Sequence, residues 1–452
     1  MEHFLRISTN GDTVGHLGFD AVQNQYSFRY EQAWQDRRSA FSLSPHILHT
    51  GEAPAAGAVQ RFLGNLLPEG RALEVAAGFA QMSKDNIFGL IRMLGKEPVG
   101  AFSFTAAENE AAGEVPADEP IRRDIPVEEL SQRIKEREQI PFPVWDKKVR
   151  LSVAGYQDKL QVMVEGNRIS LVDGSLSSTH ILKPESRNTA TPFMVANEHY
   201  CMTLAAQMGL PAAPVAIRRI PEPILLIERF DRVAQVDADN PGQIKAVGRV
   251  HVIDGCQALD LPSQLKYERN YGRTLDVRNI REGASFEKLF SQQHFELPAH
   301  ARSFMLRWAI FQLLIGNSDA HGKNISYFVR RTRLTPAPLY DLVSVSAYAD
   351  NANVDQEMAM AYGDAFLLEE ITPFELALFA QSTRTRPALL ARELERMSLA
   401  ALKFAPGLAQ SEVYVGDDER ARVRKISDFI CAQANRLLQL APEVSKVNPD
   451  LL

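Results

Sequence analysis

The chain has 452 residues, 45% of them hydrophobic and 23% charged, with a formal net charge of −6. That length holds two or three domains with sizeable cores, and the composition is that of an ordinary globular protein. No apolar run approaches the ~18 residues of a membrane span, and the charge argues against gripping nucleic acid through a global positive field.

The start, Met1-Glu2-His3-Phe4-Leu5-Arg6, lacks the basic-then-apolar pattern of a secretory signal, so cytoplasmic residence is expected. Cys201, Cys256 and Cys431 stand far apart with no Cys-x-x-Cys pair. Buried thiols in a reducing compartment are expected, rather than a disulfide framework or a structural zinc site.

Residues 14–19 and 26–30 read as strands, and Leu66-Leu67-Pro68-Glu69-Gly70 reads as a helix stop followed by a new start. No acid–base cluster stands in this region, which reads as a packing or partner-docking domain. Residues 106–126 shift to Ala, Glu, Pro and Gly, the composition of a linker. Residues 127–139 read as a charged surface helix.

From residue 151 the pattern changes. Leu151-Ser152-Val153-Ala154-Gly155-Tyr156-Gln157-Asp158-Lys159 leads into strands at 160–165 and 168–172 around a Gly166-Asn167 turn. Small residues in that lead-in let backbone N–H groups approach phosphates; an ordinary hairpin entry is the alternative. A strand at 179–183 ends on Lys183, and a helix at 193–210 carries Glu198. These two read either as a lysine–glutamate pair serving nucleotide phosphates or as a surface lysine and a solvated glutamate. A second hairpin at 214–219 and 224–228 ends on Glu228-Arg229-Phe230-Asp231, where a two-lobed nucleotide enzyme would cross between lobes. Phe230 there is a base contact or a core anchor.

Beyond Asp231 the chain reads as mostly helical, with helices at 284–293, 299–315, 373–381, 387–402 and 417–440. Residues 237–243, 251–254 and 265–268 carry polar, charged and aromatic groups to which spacing assigns no role.

The chemistry concentrates in one stretch. Phe304, Trp308, Phe311 and Ile315 recur at spacings of four, three and four, one face of a helix that Gly316 ends. The polar loop Gly316-Asn317-Ser318-Asp319-Ala320-His321-Gly322-Lys323-Asn324 follows, then a hairpin, then Tyr340-Asp341-Leu342. Phosphoryl transfer needs a carboxylate to orient the attacking hydroxyl, and an amide oxygen plus a second carboxylate for Mg²⁺. Asp319 followed five residues later by Asn324 has the spacing of a protein-kinase catalytic loop, and the hairpin returns Asp341 toward Asn324. Asp, Asn, Gly and Ser are also ordinary turn residues; the order of helix, loop, hairpin and aspartate favours phosphotransfer.

Together these phrases resemble the HipA family of bacterial serine/threonine kinases, the toxin halves of toxin–antitoxin pairs. The matching residues are 152–159, His180-Ile181-Leu182-Lys183-Pro184, Asn197-Glu198-His199-Tyr200-Cys201-Met202, Glu228-Arg229-Phe230-Asp231-Arg232, the loop 316–324 and Tyr340-Asp341-Leu342, with Leu66-Leu67-Pro68-Glu69-Gly70 resembling the family's N-terminal phrase. The resemblance implies an α+β, two-lobed protein-kinase-like fold with a β-rich N-terminal subdomain (1–125), a kinase N-lobe (126–230) and a mostly helical C-lobe (231–452). It implies ATP and Mg²⁺ as cofactors, and Asp319 as base. Asn324 and Asp341 would be metal ligands. Ser152, Val153, Ala154, Gly155, Lys159, Lys183, Glu228 and Phe230 would be nucleotide contacts, with Ser152 also the self-phosphorylated serine.

It further implies a protein substrate of the aminoacyl-tRNA synthetase type and a HipB-like helix-turn-helix antitoxin that brings the pair to operator DNA. No membrane partner is implied. The chain departs from common kinases in lacking a Gly-rich loop and a His-Arg before Asp319, and in carrying Tyr340-Asp341-Leu342 in place of Asp-Phe-Gly. Lys323 stands four residues after Asp319, and Tyr156 fills a position where the family has a smaller residue. A lipid or small-molecule kinase, a catalytically inert co-repressor module and a metalloenzyme built on Asp319-x-His321 are the alternative readings.

Overall fold

The computed structural model describes residues 2–106, 119–150, 157–272 and 274–452. The chain forms two compact units, one of Met1–Pro184, Arg218–Ile253 and Tyr327–Leu334, the other of Glu185–Ile217, Asp254–Ser326 and Thr335–Leu452.

The first unit begins with a four-stranded antiparallel sheet in the order Gln25–Tyr30, Asp12–Asp20, Glu2–Thr9, Ser103–Ala106. The expected strands at 14–19 and 26–30 are there. Glu2–Thr9 adds a third that alternates Leu5, Ile7 and Thr9 into the core. Asn10 and Gly11 both have positive φ, the backbone a tight two-residue hairpin needs. Helices Ala56–Leu66 and Gly70–Phe79 stop and restart around Leu67-Pro68-Glu69, as the sequence indicates.

A six-stranded sheet follows in the order Val215–Arg219, Pro223–Glu228, His180–Pro184, Leu160–Glu165, Arg168–Asp173, Ile121–Asp124. Its inner face packs Leu160, Val162, Leu182 and Leu226 against Phe142 and Trp145. Ile121–Asp124, expected as linker, is an edge strand whose residues are half-buried or exposed, so it carries no apolar alternation. Arg232–Val236 and Ile244–Arg249 form a ribbon within the part of the chain expected to be mostly helical, and the polar residues 237–243, to which spacing assigned no role, are its turn.

One buried ion cluster fastens the segment after Glu228 to the turn before Ser103–Ala106. The Arg229 guanidinium donates to Asp231 at 2.9 and 2.8 Å, and Arg232 donates to Asp231 at 2.8 Å and to the Gly100 carbonyl at 2.9 Å. Gly100 N–H donates back to Asp231 at 2.8 Å, and Glu97 lies 3.6 Å from both arginines. Gly100 has φ +84°, and a Cβ there would sit 2.9 Å from the Val252 carbonyl, so the position requires glycine.

The second unit is helical: Met194–Gln207, Pro298–Ile315, Pro373–Ser382, Pro387–Leu408 and Asp417–Val444. Pro298 opens its helix at a position that needs no N–H, and Gly316 closes it in the left-handed region at φ 61°. Phe304, Trp308, Phe311 and Ile315 are all buried. Phe286 packs edge-on against Trp308 and Phe379, and Tyr362 donates to the Ala309 carbonyl at 2.7 Å. The helix expected at 284–293 shortens to Phe286–Phe290, capped by Ser285. No helix among the described residues is long and apolar enough to cross a membrane.

Candidate active site

The loop after Gly316 is held at nearly every residue. The Gly316 carbonyl accepts from Val345 and Ser346 N–H at 3.1 and 2.9 Å. Asn317 is buried; its amide nitrogen donates to Gln312 at 2.9 Å and its amide oxygen accepts from Asp319 N–H at 3.1 Å, an Asx turn. Ser318 donates to the Asp355 carbonyl at 2.9 Å. Asp319 then emerges exposed on a rigid support, the arrangement a base facing a bulky substrate requires.

The next five residues curl back. The Asp319 carbonyl accepts from His321 N–H at 2.8 Å and from the Asn324 amide nitrogen at 2.9 Å. His321 Nδ1 accepts from Lys323 N–H at 3.2 Å, so its role is to brace the loop. Committing the Asn324 nitrogen to the loop orients its amide oxygen as the atom a hard cation would take.

Asp341 is brought to this place by its neighbour. Tyr340 donates its hydroxyl to the Lys323 carbonyl at 2.5 Å, and its oxygen lies 2.8 Å from Ser326 Oγ. On the other side Asn197 clasps Ser344, accepting from its N–H at 2.8 Å and donating to its carbonyl at 3.0 Å. Asp341 sits between these anchors at φ 56°, a left-handed conformation that aspartate tolerates better than most residues. Burial pushes the Tyr340 hydroxyl well above its ordinary range, and the nearby Asp254 and Asp341 charges push the same way. It therefore remains a neutral donor.

Spacing assigned no role to two residues that the fold adds here. Asp254 forms an ion pair with buried Lys323 at 3.0 Å and also caps the turn Gly255–Ala258. Lys323 is thereby engaged by a carboxylate of its own unit. Tyr267 donates its hydroxyl to Asp319 Oδ1 at 2.6 Å and sets its ring edge-on to His321 at 5.1 Å. Asp254 stands 65 and Tyr267 52 residues before Asp319 in sequence, with no periodicity linking them to the loop.

The remaining expected residues that the structure describes lie in the first unit, apart from Glu198, which is buried on Met194–Gln207 in the second. Lys183 is buried on its strand opposite Leu225, and buried Lys159 directly precedes Leu160, the register partner of Leu182. The two lysines thus occupy adjoining positions, and buried lysines demand anionic partners. Glu228 is exposed, opposite His180, and Phe230 packs edge-on against Phe328 at 5.9 Å. Ser152, Val153, Ala154, Gly155 and Tyr156 lie outside the described residues.

The second unit thus gathers Asp319, Asn324 and Asp341 on one support. Among the described residues no group of three or more His, Cys, Asp or Glu is placed to hold a metal. The expected ligands Asn324 and Asp341 would offer one amide oxygen and one carboxylate, few and hard, a set that would suit Mg²⁺ retaining water and phosphate oxygens.

A family model described as HipA-like C-terminal domain matches residues 151–403, and one described as HipA N-terminal domain matches residues 5–105. The serine/threonine-protein kinase toxin HipA of Shewanella oneidensis is 36% identical over 436 residues, 96% of either chain. The chain belongs to the HipA family. As a HipA-type enzyme it is a kinase of the serine/threonine class. Protein Y4mE of Sinorhizobium fredii is 30% identical over 443 residues, 97% of this chain and 99% of that one. A solved structure of the Shewanella oneidensis HipA, HipB and operator DNA complex superposes with a TM-score of 0.85 at 36% identity, covering 98% of this chain and 100% of that one. The α+β kinase-like architecture is therefore that of HipA.

Proposed function

We propose that this chain is the toxin of a toxin–antitoxin pair and transfers the γ-phosphoryl group of Mg²⁺-bound ATP to a serine or threonine hydroxyl of a protein. The observation that carries this reading is the bonding of Asp319, Asn324 and the Tyr340–Asp341 segment into one rigid loop system. Asp319 accepts the hydroxyl proton as the oxygen–phosphorus bond forms and the bond to the β–γ bridging oxygen breaks, leaving ADP. Mg²⁺ held by Asn324 and Asp341 would neutralise charge on the phosphates. Lys183 and Lys159 supply cationic donors for phosphate oxygens, and Glu228 and Phe230 contact the adenine.

The finer parts of the proposal follow the family. The acceptor is a protein of the aminoacyl-tRNA synthetase type, whose modification arrests growth. Ser152 is self-phosphorylated, and the added negative charge repels its loop from ATP phosphates. A HipB-like helix-turn-helix antitoxin neutralises the chain and carries it to operator DNA, with the name of the solved Shewanella complex as support. Incubating the purified chain with γ-labelled ATP, Mg²⁺ and cell extract tests the activity. Label on one discrete protein band supports the reading, whereas label in the lipid fraction, or none with bound nucleotide, overturns it.

A further inference from the structure

We infer that Tyr267 is a positioning residue for the base. It fixes one oxygen of Asp319 and so sets the rotamer in which the carboxylate meets the acceptor hydroxyl. The inference deepens the proposed kinase reading and rests on Asp319 being the base.

The Asp319 side chain is short and exposed, and an exposed carboxylate samples several rotamers. A base must instead hold its acceptor lone pair within a fraction of an ångström of the reacting proton, and small misplacements cost rate steeply. The Tyr267 hydroxyl donates to Oδ1 at 2.6 Å, the length of a strong bond to an ionised acceptor. That bond selects one rotamer and commits Oδ1.

The phenol is a fixed post rather than a swinging plug because its backbone is bolted to the catalytic loop. The Lys266 carbonyl accepts from Gly322 N–H at 2.9 Å, within the loop, and the Leu265 carbonyl accepts from Ala284 N–H at 2.9 Å. The Tyr267 carbonyl accepts from Asn270 Nδ2 at 2.6 Å. Glu268 N–H donates to the Ala359 carbonyl at 2.9 Å, and Ala359 N–H donates to the Ser318 carbonyl at 2.9 Å. The buried Glu268 carboxylate accepts from Ala361 N–H at 2.8 Å and from Arg281 at 2.5 Å. The chain packs so closely here that a Cβ on Gly283 would fall 1.7 Å from the Tyr267 carbonyl oxygen. The backbone that carries the ring cannot withdraw without breaking these bonds, and the ring itself is held by its bond to Asp319 and its edge-on contact with His321.

The test uses the full-length chain with Mg²⁺ and γ-labelled ATP, following transfer to the chain itself and to dephosphorylated casein as a generic seryl acceptor. Tyr267→Phe keeps the ring and its packing but removes the donor. It is expected to lower kcat by about 10- to 100-fold while leaving nucleotide affinity and melting temperature unchanged. In an Asp319→Ala background the same substitution is expected to have no further effect, because the two residues act as a unit. A general structural role would instead multiply the loss in both backgrounds or shift the melting curve. Tyr267→Phe transferring at the wild-type rate or faster, or an equal loss in the Asp319→Ala background, overturns the inference. A wild-type chain that binds no nucleotide and transfers no label contradicts the kinase reading itself.

Discussion

The Tyr340 hydroxyl donates to the carbonyl of Lys323 at 2.5 Å, and this bond joins two stretches that the sequence separates by a hairpin. Asn324 follows one partner and Asp341 follows the other, so the bond fixes the spacing of the two proposed metal ligands. Tyr340→Phe keeps the ring but leaves a buried carbonyl without its donor, a loss of about 1–3 kcal/mol. Mg²⁺-dependent nucleotide affinity is expected to fall by roughly 5- to 100-fold, read by calorimetry. Unchanged affinity would detach Tyr340 from the site.

Asp319→Ala is expected to cut phosphoryl transfer by on the order of 10²–10⁴-fold with nucleotide still bound. Steady-state transfer and equilibrium nucleotide binding measured on the same preparation separate these effects. Full activity would show that another group serves as base.

The ion cluster in the first unit makes stability depend on acid. Burial alone would raise the Asp231 carboxyl, but Arg229 and Arg232 outweigh it and hold the group well below the usual carboxylate range. The folded state therefore binds this proton less readily than the unfolded chain. Its stabilisation is complete above the unfolded value of about 4 and drains away as pH falls below it. Asp231→Ala leaves two buried guanidinium groups short of a partner and is expected to cost about 3–5 kcal/mol, read by urea denaturation. A cost under about 1 kcal/mol would show that the cluster is not acting as a fastener.

Two buried histidines act in the same direction at milder pH. Burial pushes His199 and His251 down to about 4, against Glu419 for the first and the Leu43 carbonyl for the second. His199 faces Tyr414, and His251 lies between Phe41 and Phe102. As pH falls from 6.5 toward 4 the unfolded chain takes up these protons before the folded one does. Each site then removes stability, up to about 3 kcal/mol. His251→Gln is expected to flatten the melting temperature against pH across that window. An unchanged slope would refute the assignment.

The sequence disclosed the parts of the site that are contiguous. The helix of Phe304, Trp308, Phe311 and Ile315, its Gly316 stop and the loop to Asn324 are local, so periodicity and turn chemistry suffice to place them. Asp254 and Tyr267 reach the loop only through tertiary contacts, and nothing in their own neighbourhoods marks them. The ribbon of Arg232–Val236 and Ile244–Arg249 was missed because of Arg232–Val236 only Arg232 is buried, leaving that strand no apolar alternation to read. Glu2–Thr9, with Leu5 and Ile7 turned inward, did carry a legible period of two.

The central claim is that Asp319, Asn324 and Asp341 serve one metal-bound triphosphate. A crystal structure of the full chain with Mg²⁺ and a non-hydrolysable ATP analogue tests it most directly. The Asn324 amide oxygen and the Asp341 carboxylate are expected on the metal, with Asp319 facing the γ-phosphate. Metal and phosphates bound away from these three side chains would contradict the account.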